Sequence, residues 1–568
     1  MPFSPKLLAC LALAGSISAA APAHAQSLLK PADYAHYVQL FQQQEQAATG
    51  QIFNGYPDAS GQQPEAAWPW MQREIPLFDS SDKQFEEMYY FRWYSFKKHI
   101  VHTPSGYLIT EWLHRPEMTD YATLPDAAPF HLDEARWLHD RSIAEDYAGY
   151  WYRPPAPAGK SPDPRKYSEP LTSAVREVTL ANGDSALTTS LLPDFVRVYH
   201  DWERTQQDPN GLFWSIDTRD AMEKSISGDG YRPTLNSYMV ADARAIAATA
   251  RLAHNEALAT EFRAKADKLN NLIETKLWNP KDQFYEVISP ARDSGIRAQK
   301  KFQDPGTVLQ FSGVRELIGY DPWGFASPAP SHAVAWLQLF NPQGFDGKYG
   351  ATTAEGRSPR FRFASSDQCT WNGPAWPFAM TQVLNALANY EDTPGSHTIP
   401  PSSFYKLFSR YVLAQHLTLK DGQKIDWIDE DYDADTDEWI AKDMLIAKNK
   451  QVGRGNYYNH SGFADPLITG LIGLRPRADN HISIHPLVSA RDWSYFAIDA
   501  LPYHGHTLTI AYDSTGTRYH HGKGFWLAVD GHTIAHRPTL GPIEANLPEA
   551  KSGHSGRPSS RNAQLNGR

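Results

Sequence analysis

Two consecutive helical runs in the middle of the chain constrain its fold most. Around Asn236 to His254, Leu235, Met239, Ala243, Ile246 and Ala250 recur at three- and four-residue steps; Phe262, Ala266, Leu269 and Ile273 do so across Glu256 to Leu277. Only a short turn separates them, so the two runs must fold back on each other as an antiparallel helical hairpin. The same helical signal covers His131 to Trp151, Glu169 to Arg204, Ala375 to Tyr390, Pro401 to Leu417 and Asp465 to Leu474. Between these runs lie loops rich in Trp, Gly and Pro. Helical pairs joined in this way predict a mainly α toroid with the loops gathered at one end.

After Gly473-Leu474-Arg475-Pro476 the period changes. His481 to Ile484, Trp493 to Ile498, Thr507 to Tyr512 and Gly524 to Val529 are short alternating or β-branched runs between turn formers, which predict a small sandwich-like β module. The expected organisation is a leader at 1–25, an N-terminal lead-in at 26–85, a helical catalytic domain at 86–475, the β module at 476–545 and a disordered Ser-, Gly-, Pro- and Arg-rich tail at 546–568.

The leader has the features of an export signal: Lys6 precedes the apolar run Leu7 to Ala14, and Ala23-His24-Ala25 offers a small-x-small cleavage site. Cys10 lies too early in the apolar run for a lipoprotein box. Cleavage after Ala25 leaves Cys369 as the only cysteine, so the expected periplasmic or secreted protein would have no intramolecular disulfide. No later run is apolar over the roughly 20 residues that a membrane-spanning helix needs. A formal charge of -10 opposes nucleic-acid binding, which requires clustered Lys and Arg. The 17 Trp, 28 Tyr and 25 Phe side chains suit a carbohydrate, whose C–H faces stack on rings while its hydroxyls seek polar edges.

Four loop segments combine rings with carboxylates or cations. Arg92 and Trp93, with His99, Glu111 and Trp112 following, offer a planar fork beside a ring, either for a sugar or as a structural stack. Trp214 to Ser225, followed by Arg232, contains three carboxylates beside Trp, Ile and Met. Such surroundings lift a carboxyl into the range of a general acid, although an acidic turn capping the next helix has the same composition. Trp371-Asn372-Gly373-Pro374-Ala375-Trp376 sets two rings about a rigid turn. Trp427 to Trp439 carries a carboxylate at nearly every second position, yet as a calcium loop it has Ala434 where Gly is needed and Ile440 where Glu is needed. No Ser-His-Asp signature, phosphate-cradling loop or zinc spacing occurs, and no metal or cofactor is expected. Separated carboxylates in an aromatic helical toroid point to glycoside hydrolysis.

At these motifs the sequence resembles the six-hairpin glycosidases, in particular glycoside hydrolase family 63 and its mannosylglycerate hydrolase-like group, with trehalase more distant. The resemblance spans about residues 86–475 and implies an (α/α)6 barrel. The family's acid lies in a Ser-Gly-hydrophobic-Asp-x-Ser segment. Asp220-Ala221-Met222-Glu223-Lys224-Ser225 is similar, with Glu223 in the acid's place and Asp220 as its rival. Trp371 to Trp376 matches the family's Trp-x-Gly-Pro-x-Trp turn. The family's base segment, Glu-x-Tyr-Asn-Pro-x-Thr-Gly, resembles Glu430 to Asp437 without its Pro and Gly, which implies Glu430 as base and leaves Glu438 as the alternative. Tyr458-Asn459-His460-Ser461 corresponds to an aromatic-Ser entry into the closing helix. The implied activity is an anomer-inverting, exo-acting hydrolase of an oligosaccharide or glycoside, α-glucosides first. Arg92, Trp93, Trp214, Arg232, Trp371, Asn372, Trp376, Trp427, Tyr432 and His460 are the expected sugar contacts. A polysaccharide lyase, an inverting phosphorylase and a non-catalytic sugar-binding protein are the competing readings.

Overall fold

The computed structural model describes residues 27–58, 60–113, 123–154, 162–290, 308–363 and 369–548. The leader, Cys10 and the tail beyond residue 548 lie outside the described residues.

The central hairpin shows how the helical layers differ. Helix Pro233–Leu252 starts with Pro at its first turn and buries residues on all faces, Asn236, Ser237, Tyr238, Met239 and Val240 in succession. A helix covered all round belongs to an inner layer. Its partner Glu256–Leu272 buries only Ala259, Phe262, Ala266 and Leu269, the single stripe of an outer helix with its other face in water. Full burial of Phe262 and Leu269 contributes about 2 kcal/mol each. The Asn255 side chain accepts from the Leu258 N–H and caps the second helix. Helices Lys83–His99, Ala128–Ala135, Leu171–Asn182 and Pro377–Asp392 have the same largely buried character and, with Pro233–Leu252, build the inner part of a mainly α toroid.

Several expected helices are shorter or divided. His131 to Trp151 splits into Ala128–Ala135 and Ser142–Tyr152, because Asp140 turns the chain by accepting from the Ser142 N–H and hydroxyl. Glu169 to Arg204 splits at Gly183, whose φ of 71° ends the first helix in the left-handed region. Glu256 to Leu277 finishes as a π turn, Ile273–Leu277. Pro401 to Leu417 becomes helix Ser403–Ala414 followed by strand His416–Thr418, paired with Lys424–Asp426. Asp465 to Leu474 is the π-helical Pro466–Ile472. Its N-terminal end is held by the Glu134 carboxylate, which accepts from the N–H groups of Phe463, Ala464 and Asp465. Asp465 in turn accepts from Arg136 and the Trp137 indole, tying the closing turn to an early helix.

The C-terminal strands Tyr495–Tyr503, His506–Asp513, Gly524–Val529 and His532–Arg537 form an antiparallel sheet. Strand Leu77–Ser80 joins its edge, with Leu77 opposite Asp499. His481–Ile484 and Ile543–Asn546 form a separate two-stranded ladder. No helix among the described residues is long and apolar enough to cross a membrane.

Candidate active site

The loop after strand Gly106–Ile109 and the segment 457–460 are pinned together. His99 bridges the Tyr457 carbonyl at 2.7 Å and the Thr110 hydroxyl at 3.0 Å, and the Asn459 N–H donates to the Glu111 carbonyl at 3.1 Å. Burial drives His99 down to about 3 and His131 to about 4, so both rings are neutral struts. This arrangement places Glu111, Trp112, Tyr458 and His460 side by side. Trp112 and Tyr458 have ring centroids 4.2 Å apart, and Tyr458 and His460 3.8 Å.

The acid loop is framed by a fully buried ion pair. Asp220, at the end of the 3-10 turn Asp217–Asp220, accepts from Arg232, Thr234 and, at 3.0 Å, the Ser215 hydroxyl. Arg232 also donates to Ser225 and Ser227 at 3.2 and 3.3 Å and to the Gly228 carbonyl. Ala221, with φ of 56°, then turns the chain so that Glu223 follows outside this frame, half-buried. Burial first, then the charges of Asp126, Asp217 and Glu430, push the Glu223 carboxyl up to about 7.

Glu430 is the buried counterpart. Arg454 donates to one of its oxygens and the Cys369 thiol lies 3.4 Å from the other. Arg454 also stacks its guanidinium 4.8 Å from the Trp112 ring. Burial raises the Glu430 carboxyl and Asp429 adds to this, while Arg454 pulls it back down. The loop carrying Glu430 is fixed to the tryptophan turn by paired bonds between Tyr432 and Ala375, both 2.9 Å. Glu438 stands exposed at the far end of this loop, bonded to Thr436.

The turn Trp371 to Trp376 joins the two acids. The Trp371 N–H donates to the Glu223 carbonyl at 2.9 Å, two residues from the cysteine that contacts Glu430. Trp371 and Trp376 stack at 4.8 Å and 16°, and Trp376 meets His460 edge-on at 6.0 Å. Gly373, at φ of 148°, has no room for a Cβ, which would come within 2.8 Å of Phe361 and Arg362.

The structure therefore brings together Glu223, Glu430, Trp371, Trp376 and His460 among the expected residues. The others lie in packing roles. Arg92 is buried on Tyr411, Gln415 and Ser461. Trp93 is enclosed by Tyr89 and Phe96. Trp427 packs on Tyr457 and Lys442, Tyr432 on Trp439, and Asn372 bonds the Phe363 carbonyl. Trp214 is buried and precedes Ser215, whose hydroxyl donates to Asp220. Sequence reasoning did not name Glu111, Asp126, Cys369, Arg454 or Tyr458 as site residues, although Glu111, Cys369 and Tyr458 stand in or beside the segments it singled out. Among the described residues, no group of three or more His, Cys, Asp or Glu could hold a metal ion. A cavity of about 670 Å³ lined by Arg244, Trp323 and Tyr390 holds none of these acids.

Residues 120–461 match the mannosylglycerate hydrolase MGH1-like glycoside hydrolase domain. The chain belongs to this family. The six-hairpin resemblance read from the acid, turn and base segments is thus shown. A solved protein named as a sialidase shares 36% identity at a TM-score of 0.79, over 91% of this chain and 44% of its own. This chain accordingly spans less than half the length of that relative. The family 63 mannosylglycerate hydrolase of Thermus thermophilus, solved with Tris and D-glycerate, is 14% identical over 64% of this chain and 96% of its own, with a TM-score of 0.45. An α-L-rhamnosidase from Dictyoglumus thermophilum is 12% identical over 80% and 44%, with a TM-score of 0.48. These last two likenesses bear no weight in the assignment; membership in the MGH1-like family rests on the matched domain.

Proposed function

We propose that this chain is an exported, exo-acting glycoside hydrolase that inverts the anomeric centre, with Glu223 as general acid and Glu430 as general base. One observation carries the assignment: the short segment Cys369 to Trp371 ties the two acid-bearing loops together, its Trp371 N–H bonded to the Glu223 backbone carbonyl and its Cys369 thiol against the Glu430 carboxyl. The environments of the two carboxyls differ as the two roles require. Glu223, lifted to about 7 by burial and by the carboxylates around it, holds a proton for the leaving oxygen at neutral pH. Glu430 is also raised by burial, but unlike Glu223 it has a buried cation, Arg454, that opposes the rise and favours the ionised form a base needs.

In the proposed step, Glu223 protonates the departing glycosidic oxygen. Glu430 deprotonates a water that attacks the anomeric carbon from the opposite face. Asp220 is the weaker candidate for the acid because Arg232, Thr234 and Ser215 already occupy it. Glu438 is the weaker base because it is exposed on the surface. A lyase or phosphorylase would need positive charge for a uronate or phosphate, whereas Glu111 and Glu223 each feel the negative charges of Asp126 and Glu430, and Arg454 is already paired with Glu430.

The substrate we infer is an oligosaccharide or glycoside, with α-glucosides tested first. Export is supported by the leader sequence, and a sandwich-like β module by the sheet and ladder of residues 481–546. The test is a screen of purified protein on glycosides of varied linkage, with Glu223→Gln and Glu430→Gln in parallel. Loss of turnover in both variants supports the assignment, and wild-type rates in either overturn it for that residue.

A further inference from the structure

The candidate site contains buried polar atoms without partners, of both kinds. Both carboxyl oxygens of Glu111, one of Asp126, the Trp371 indole N–H and the Arg454 Nε make no hydrogen bond of good geometry among the described residues, and the His460 ring has only loose contacts with the Glu430 and Tyr458 backbone. A buried group left in this state costs about 1–3 kcal/mol, and native proteins tolerate few of them. Here they converge. Glu111 feels the charges of Asp126 and Glu430; His460 packs on Tyr458, whose neighbour Asn459 holds the Glu111 backbone.

The composition of this set selects its ligand. An anion would answer the indole N–H but would face the Glu430 carboxylate, to which the cation of this set, Arg454, is already paired. A simple cation would answer the carboxyls and leave the N–H groups unmet. A hydroxyl both donates and accepts, so an uncharged polyol satisfies the whole set.

We propose that Glu111 is a substrate-binding residue of this site, its carboxyl placed to hold a hydroxyl of an uncharged glycosyl unit. The proposal rests on the glycosidase reading of the site. Glu111 is fully buried, and its backbone is fixed by Asn459 and its flank by Trp112 against Tyr458. Burial, then Asp126 and Glu430, hold its carboxyl well above the usual carboxylate range; Tyr458 and Trp112 ease this without reaching hydrogen-bond geometry. As a neutral acid it can donate to a sugar oxygen as well as accept from a hydroxyl. Nothing in this role requires Glu111 to ionise during turnover, which separates it from Glu223 and Glu430.

The test uses the full chain and nitrophenyl glycosides of glucose, mannose, rhamnose and sialic acid in both anomers. KM, kcat and Tm are measured for wild type, Glu111→Ala, Glu111→Gln and Glu223→Gln. The expected result is cleavage of a neutral glycoside, a KM at least about tenfold higher in Glu111→Ala, and recovery of most of that loss in Glu111→Gln, which keeps an acceptor and a donor. An unchanged KM in Glu111→Ala overturns the proposal, as does preference for the sialoside. A Glu111→Gln variant as slow in kcat as Glu111→Ala, at unchanged KM, also overturns it, since that is the behaviour of an ionising catalyst. If Glu111→Ala does not fold, Glu111→Leu fills the volume and takes its place. Wild-type turnover in Glu223→Gln would refute the acid assignment while the KM comparison still judged Glu111. If wild type cleaves none of the compounds, calorimetric titration with the same glycosides decides: binding at least about tenfold weaker to Glu111→Ala supports the proposal, and equal or absent binding overturns it.

Discussion

Arg454 and Glu430 form an ion pair with both side chains buried, 7% and 1% exposed. Removing one partner of such a pair costs about 3–5 kcal/mol, because the other charge stays buried and unanswered. Arg454→Met is therefore expected to lower stability and to raise the Glu430 carboxyl further. A base must be ionised to act, so the acidic limb of the kcat/KM profile moves to higher pH in this variant. An unmoved limb in a folded Arg454→Met protein would show that Glu430 is not the titrating base.

Glu223 and Asp220 should separate cleanly by mutation. Glu223→Gln is expected to lose about 100- to 10,000-fold in kcat/KM with its Tm preserved. The basic limb of the wild-type profile should fall as pH rises through about 7, where Glu223 gives up its proton, and should vanish from the residual activity of the variant. Asp220→Ala leaves Arg232 unpaired where both side chains are fully buried, so a stability loss of about 3–5 kcal/mol is expected there.

Cys369 lies against the Glu430 carboxyl and is partly exposed. Its thiol is held well above the ordinary range by burial and then by Glu430, so alkylation by N-ethylmaleimide should be slow at neutral pH and faster as pH rises. Modified protein is expected to lose activity. Cys369→Ser, which can still donate to Glu430, should stay active and resist the reagent. Full activity after stoichiometric alkylation would separate this thiol from the site.

Asp242, buried on an inner helix where it accepts from the Ser173 N–H at 2.9 Å, is pushed up by burial to about 8. An unfolded Asp titrates near 4, so the stabilisation from its bound proton is complete below about pH 4 and is lost as pH rises through about 8. The Tm of wild type should decline over that window more steeply than that of Asp242→Asn. Parallel curves would place the carboxyl in an ordinary environment.

The helical hairpin was legible because both of its helices repeat apolar residues at three- and four-residue steps. That Pro233–Leu252 is covered on all faces while Glu256–Leu272 keeps one face in water was not, because polar side chains such as Asn236 and Asp242 are buried along with the apolar stripe. Helix breaks were harder to read, since a side-chain turn such as that of Asp140 leaves the hydrophobic period intact. Within the site, the Trp turn and the two acidic loops stood out by composition. Arg92 and Trp93 stood out equally, yet sequence does not say which face of a helix is covered, and Lys83–His99 is covered almost throughout. Arg454 and Asp126 gave no signal because neither lies in an aromatic or acidic run; only the folded chain carries them to Glu430 and Glu223.

The central claim is that Glu430 activates a water for direct attack at the anomeric carbon, opposite Glu223. Inversion needs about 6.5 to 9.5 Å between the two carboxyl groups, room for that water, whereas retention brings them to about 5 to 5.5 Å for a covalent intermediate. Proton NMR of the sugar released in the first minutes of hydrolysis, before mutarotation, tests the claim most directly. The account predicts a first product with the anomeric configuration opposite to that of the substrate. A first product with retained configuration would contradict it.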